Sequence, residues 1–302
     1  MCDQTDLARL KGLDRRRFGT GSMALGGTAA LAACTGMNDR SGGDGESTAA
    51  GGSDGLTRSN VTIDTPDGKA DAFFVHPASG NHPAVLLWPD IAGLREAFYR
   101  MSARLAGEGY AVLAVNPYYR DVSGEQFADF SAFAGDNGFE KVGPWREKLT
   151  ADNIMRDASA YIAWLDRQDA VDTGKGVGTQ GYCMGGPFTV WSAAAVPERI
   201  RAAASFHGGG LVRDGAKSPH NMLGRTQASY LFAIAQNDDA KDPEAKTTLR
   251  EAAAAANVPA EIEVYPADHG WTVIDSPSYD KSAAEKAWSR LMALYGGTIA
   301  SD

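Results

Sequence analysis

From Val61 to the C-terminus, short runs of β-forming residues alternate with segments of helical periodicity, and this alternation leaves few architectures open. Strands are expected at 61–65, 70–76, 84–88, 111–116, 176–180, 202–206, 230–235 and 261–265. Val85-Leu86-Leu87-Trp88 and Leu231–Ala235 are continuous apolar runs, as expected of strands covered on both faces. Helices are expected at 94–107, 152–167, 187–195, 243–256 and 281–294, the second carrying Ile154, Ala158, Tyr161, Ile162 and Leu165 along one stripe. The first two strands flank Pro66-Asp67-Gly68, a turn signal for an edge hairpin. The expected fold class is therefore α/β: a mainly parallel sheet of about eight strands with helices on both faces. Residues 121–150 are irregular and aromatic-rich, suited to a cap over a pocket.

The chain ahead of this pattern is not fold. Arg15-Arg16-Arg17-Phe18 precedes a mild Gly/Ala-rich apolar stretch from Gly19 to Ala33, too short to span a bilayer but right for a signal-peptide core. The paired arginines resemble a twin-arginine (Tat) export signal. Leu31-Ala32-Ala33-Cys34 resembles a bacterial lipobox, which implies a lipidated Cys34 as the mature N-terminus. Simple cleavage at these small residues is the alternative. Residues 34–58 are glycine-rich and nearly devoid of apolar side chains, so they are expected to be a flexible tether reaching on the order of 25–30 Å. The expected organisation is signal 1–33, tether 34–58 and folded domain 59–302, in a protein that is periplasmic or tethered to a membrane.

Charge and cysteine usage exclude several functions. With 29 Lys+Arg against 38 Asp+Glu, the chain is a poor partner for nucleic acid. Cys2, Cys34 and Cys183 form neither a disulfide framework nor a C-x-x-C site. No cluster has metal-ligand spacing, and no glycine motif in strand-to-helix context implies a nucleotide, so neither metal nor cofactor is expected.

The chemistry centres on Gly181-Tyr182-Cys183-Met184-Gly185-Gly186, between an expected strand and an expected helix. A nucleophile at such a turn needs small residues two before and two after it, because backbone and helix approach closely there. The helix N-terminus favours the thiolate. Gly51-Gly52-Ser53-Asp54-Gly55 also matches G-x-S-x-G, yet it lies in the tether with no strand expected before it or helix after it. An α/β-hydrolase carries its acid and base on loops after later strands. Here the strand 230–235 ends in Gln236-Asn237-Asp238-Asp239, and 261–265 leads into Asp268-His269-Gly270-Trp271. His269 is the expected base and Asp238 its orienting acid, with Asp239 the alternative. His207 ends the strand 202–206 on the same rim and is expected to line the pocket or support the base. Trp88, Tyr118, Trp145 and Trp271 suggest an aromatic-lined pocket.

Assembled in this way, residues 60–297 resemble the dienelactone hydrolase family of α/β-hydrolases. The elbow with Asp238 and His269 behind it is similar to the family's Cys-His-Asp triad. The run from Pro83 to Glu96, with Asp90-Ile91, matches a second family motif. The resemblance implies that the acidic residue at position 90, usually Glu, contacts the resting thiol. It also implies that the backbone N–H groups of Ile91 and Met184 form the oxyanion hole. The family namesakes hold a substrate carboxylate with an arginine four residues after the histidine. Here that residue is Val273, while Arg120 is left to line the rim. The implied activity is cofactor-independent hydrolysis of a small carboxylic ester or lactone through an acyl-thioester. Two rivals remain at this level: a non-catalytic, ligand-binding envelope lipoprotein on the same fold, and a thiol redox protein that lacks an obvious resolving cysteine.

Overall fold

A computed structural model describes residues 50–51 and 54–300. The signal and lipobox readings, Cys2 and Cys34 lie outside the described residues. The strands are β1 (Ala50–Gly51), β2 (Leu56–Thr65), β3 (Gly68–Pro77), β4 (Ala84–Trp88), β5 (Ala111–Val115), β6 (Val177–Tyr182), β7 (Ile200–Phe206), β8 (Ser229–Ala235) and β9 (Ala260–Tyr265). They form one sheet in the order β1-β2-β3-β5-β4-β6-β7-β8-β9. The β1–β2, β2–β3 and β3–β5 pairs are antiparallel, and every later pair is parallel. The eight longer strands match the eight expected from sequence, including the hairpin that pairs Thr65 with Gly68.

Two boundaries differ from expectation. β2 begins at Leu56, so 56–58 belong to the sheet and not to the tether. β1 pairs Ala50 with Arg58 and Gly51 with Thr57, so a short strand ends on the first glycine of the second G-x-S-x-G run. The element after that run is the antiparallel β2 and not a helix, while Gly52 and Ser53 lie outside the described residues.

The helices cover both faces because neighbouring strand residues point to opposite sides. Leu86 and Trp88 of β4 join one core cluster with α4 (Ala151–Leu165), α5 (Gly186–Ala195), the short α6 (Pro219–Met222) and α8 (Ala245–Ala255). Val85 and Leu87 join the other with α1 (Glu96–Gly107) and α9 (Lys281–Gly296). Every residue of β4 and β5 is buried, which explains why these strands read as unbroken apolar runs. Thr150 caps α4 through its hydroxyl and Asp280 caps α9 through its carboxylate.

The chain builds β5 on one side of β4 and then crosses to place β6 on the other. The crevice at the carboxyl ends of β4 and β6 is the switch point where ligands bind in such sheets. Residues 121–150 are more ordered than expected. They form α2 (Phe130–Gly135) and α3 (Gly138–Arg146), and Phe127, Phe133 and Val142 make a small cluster with Ile91, Ala92 and Tyr118 beside that crevice. Among the described residues no helix is long and apolar enough to cross a membrane.

Candidate active site

Cys183 opens a single 3₁₀ turn, Cys183–Gly185, between β6 and α5. Its φ of 51° puts a non-glycine residue in the left-handed region, a conformation that persists only where the surroundings enforce it. Those surroundings are close-packed backbone. A Cβ on Gly181 would overlap the Gly185 carbonyl, and a Cβ on Gly185 would lie 2.6 Å from the Pro89 carbonyl oxygen. The two glycines of the motif thus let the turn sit against itself and against the end of β4. Gly181→Ala is expected to lower the melting temperature by about 2–6 °C, since forced overpacking costs roughly 1–3 kcal/mol in a domain of this size. A thermal melt unchanged within error would show that the turn has room to give.

Behind the elbow, α7 (Gln236–Lys241) follows β8 and carries Asp238, while the loop after β9 carries His269. His269 Nδ1 lies 2.6 Å from Asp238 Oδ2, and the backbone N–H of His269 donates to Asn237 Oδ1 at 2.8 Å. The two loops are joined again where Gln236 N–H donates to the Ala267 carbonyl at 3.0 Å. Burial disfavours a charged His269, but the neighbouring Cys183 charge and hydrogen bonds with Asp238 and Cys183 outweigh it and raise the imidazole to about 10. The arrangement favours a protonated His269 held between Cys183 and the Asp238 carboxylate. Asp239 is committed elsewhere: both its oxygens take the Lys246 ammonium, at 2.6 and 2.8 Å.

His207 lies beneath the elbow and not in the pocket. It is buried, its Nδ1 accepts the Cys183 backbone N–H at 3.2 Å, and its Nε2 lies 2.9 Å from Thr272 Oγ1. Accepting at Nδ1 requires the neutral tautomer that carries its proton on Nε2. Burial first, and the charge of His269 second, hold His207 well below the ordinary histidine range. The two imidazoles, 4.9 Å apart between ring centres, are therefore driven to opposite charge states.

At the end of β4, Asp90 does not stand ready for the thiol as the family pattern implies. Its two oxygens receive a bidentate fork from Arg95, at 2.7 and 3.0 Å. Burial, with the Cys183 and Asp275 charges adding to it, leaves Asp90 above the ordinary carboxylate range against the pull of Arg95. Asp90 Oδ1 also accepts the Ala92 N–H at 2.9 Å, and the Tyr118 hydroxyl donates to the Ile91 carbonyl at 2.7 Å. The peptide between Ile91 and Ala92 is thus held at both polar atoms. Met184 is the second residue of the 3₁₀ turn, where an N–H has no acceptor within the turn.

Cys183 opens into a cavity of about 590 Å³, also lined by Ile91, Met184, Trp191, Leu211 and Ile234, with Arg146 and Arg213 at its polar edge. The aromatic pocket expected from sequence is not the one that forms. Trp88 is fully buried in β4 and donates to Ser192 Oγ, so it supports the elbow from below. Trp271 is equally buried, stacked on Tyr265 and edge-on to His207. Tyr118 positions backbone, and Trp145 packs against Tyr118. Arg120 is drawn away from the rim by Asp157 and Asp67, both at 2.7 Å. Arg95, Asp275 and Trp191 escaped the sequence reading, because nothing in their local spacing marks them.

Residues 70–298 match the model of the dienelactone hydrolase family. A protein of Escherichia coli (strain K12) named "Putative carboxymethylenebutenolidase" is 28% identical over 253 residues, covering 81% of this chain and 89% of its own length. One of the same name from Methylorubrum extorquens is 29% identical over 252 residues, covering 82% and 83%. Among solved structures, the "Putative Dienelactone Hydrolase" of Klebsiella pneumoniae is similar with a TM-score of 0.68 at 25% identity, covering 80% of this chain and 98% of that one.

Proposed function

The chain belongs to the dienelactone hydrolase family, a group of ester and lactone hydrolases on the α/β-hydrolase fold, and from that premise we propose a Cys-His-Asp mechanism through an acyl-thioester on Cys183. The observation that carries this reading is the alignment of Cys183, His269 and Asp238 at the carboxyl ends of β6, β9 and β8, with the Asp238–His269 contact at 2.6 Å.

In the proposed cycle the Cys183 thiolate attacks the ester carbonyl, and the developing oxyanion is held by the N–H groups of Ile91 and Met184. The His269 imidazolium then gives its Nε2 proton to the leaving alkoxide, so alcohol departs and the acyl group stays on sulfur. Neutral His269 next takes a proton from water as the water attacks the thioester carbonyl. Collapse expels the thiolate and releases the acid, with the imidazolium restored. Asp238 fixes the Nδ1–H tautomer and stabilises each imidazolium stage. The largely apolar wall of the cavity supports a substrate with an apolar acyl or alcohol arm. Short aryl and alkyl esters and simple lactones, assayed with wild type and Cys183→Ala, test this reading. Equal turnover in both would remove Cys183 from the chemistry.

Export is proposed on sequence grounds: Arg15-Arg16-Arg17, the apolar stretch and Leu31-Ala32-Ala33-Cys34 support a Tat signal with lipidation at Cys34. Intact-protein mass spectrometry of exported material is expected to show a chain starting at Cys34 with added lipid mass. A chain retaining residues 1–33 would overturn the proposal, and one cleaved without lipid would reduce it to simple secretion.

A further inference from the structure

Arg95 is fully buried, and every polar atom of its guanidinium is engaged. It donates to Asp90 at 2.7 and 3.0 Å, to Asp275 at 2.8 Å from both Nε and Nη2, and to the Gly93 carbonyl at 3.1 Å. Asp275 belongs to the loop after His269, and its Oδ2 also accepts the Phe130 N–H of the 121–150 segment at 3.0 Å. The Phe98 ring lies 5.0 Å from the guanidinium carbon. One cation therefore joins the loop after β4, the loop after β9 and the start of α2.

We infer that Arg95 is a positioning residue which, through Asp90, sets the backbone donor of Ile91, so that Asp90 serves the oxyanion loop and not the thiol. This rests on the reading of Cys183 as the nucleophile. The geometry supports it in two ways. The Arg95 fork and the Ala92 N–H fill three of the four acceptor sites of Asp90 and fix the plane of its carboxylate toward Arg95 and the loop. The same carboxylate holds the Ala92 N–H while Tyr118 holds the Ile91 carbonyl, and the Gly93 N–H closes a turn on the Asp90 carbonyl at 3.1 Å. The Ile91 N–H itself enters none of the loop's hydrogen bonds among the described residues. Arg95 lies outside the chemistry and acts through this peptide.

The test compares ester turnover with alkylation of Cys183 by iodoacetamide, which needs the thiolate and no oxyanion hole. Both are measured on the full chain for wild type, Arg95→Lys, Asp90→Asn and Asp275→Asn. Lysine keeps the charge but loses the fork, so kcat is expected to fall about 100-fold with KM changed no more than about threefold. Alkylation is expected to stay within about threefold of wild type, because the thiolate's partner is His269. Asp90→Asn retains an oxygen for the Ala92 N–H and is expected to lose only about tenfold in kcat. Alkylation falling in step with kcat in either variant would return Asp90 to the thiol and overturn the inference, as would a wild-type kcat in Arg95→Lys. Should Arg95→Lys not fold by circular dichroism, Asp275→Asn carries the same comparison from the less buried end of the network. Undiminished turnover in Cys183→Ala would sink the underlying mechanism instead, so the two failures are distinguishable.

Discussion

Cys183→Ala is expected to lower kcat/KM for a short aryl ester by at least about 10⁴-fold while leaving the melting temperature within a few degrees of wild type. In the proposed mechanism the acyl group is carried by this sulfur, and removing a nucleophile from a cooperating set leaves only the contributions of binding and the oxyanion hole. The stability change is small for a specific reason. Cys183 occupies a left-handed backbone position, and alanine tolerates that position no better and no worse than cysteine. The variant makes a second, independent prediction. His269 is raised to about 10, with the Cys183 charge the foremost cause opposing burial. Without the sulfur, burial acts against Asp238 alone, so the imidazole should titrate markedly lower. The sign is set by the imidazolium being stabilised by one anion in place of two. A histidine NMR titration following His269 in both proteins reads this directly. An unchanged titration would mean that the thiol does not face the imidazole.

How much of this was legible in the sequence depended on the range over which each constraint acts. The elbow was legible because its requirements are local: Gly181 and Gly185 flank Cys183 at fixed offsets, and the steric need for them lies within one turn. His269 and Asp238 were legible because the fold order places them just past two recognisable strands. Arg95 was not. Its partner Asp275 lies 180 residues away, and only the packed loops bring them together. Even the choice between Asp238 and Asp239 needed tertiary information, since it turns on Lys246, which reaches back from α8.

The expected pocket failed on a different principle. Trp88 and Trp271 looked like pocket aromatics, but large rings near the sheet are first of all core material, and both are buried, Trp88 edge-on to Phe188 and Trp271 stacked on Tyr265. The aromatics that do line the cavity, Phe188 and Trp191, sit along α5, where the sequence shows only an apolar helix. Arg120 carried the family expectation of a rim cation. In this chain Asp67 of the β2–β3 turn and Asp157 of α4 claim it, so ion pairing holds it away from the Cys183 cavity. The family motifs are thus present while the side chains around the cavity differ from those the motifs imply.

The sharpest separation of neighbours is expected at Asp238 and Asp239. Asp238→Asn should lower kcat by about 10³–10⁴-fold, because an amide at that position no longer enforces the tautomer with Nδ1–H or stabilises the imidazolium. Asp239→Asn should stay within a few-fold of wild type, since it gives up only a partly exposed pair with Lys246, and such pairs contribute roughly 0–1 kcal/mol. The two substitutions are adjacent, isosteric and alike in charge, so any general effect of losing an anion near the cavity is common to both. What differs is the contact: Asp238 Oδ2 stands 2.6 Å from His269 Nδ1, whereas Asp239 turns to α8. Steady-state kinetics on the pair decide the matter. Equal losses would mean that the local field and not the specific hydrogen bond supports His269, and a larger loss at Asp239 would reassign the acid. His269→Gln should resemble Asp238→Asn in kcat but add a loss of Cys183 alkylation at neutral pH, because it removes the cation that pairs with the thiolate as well as the proton carrier. Those two readouts together separate the carboxylate's orienting role from the imidazole's chemical one.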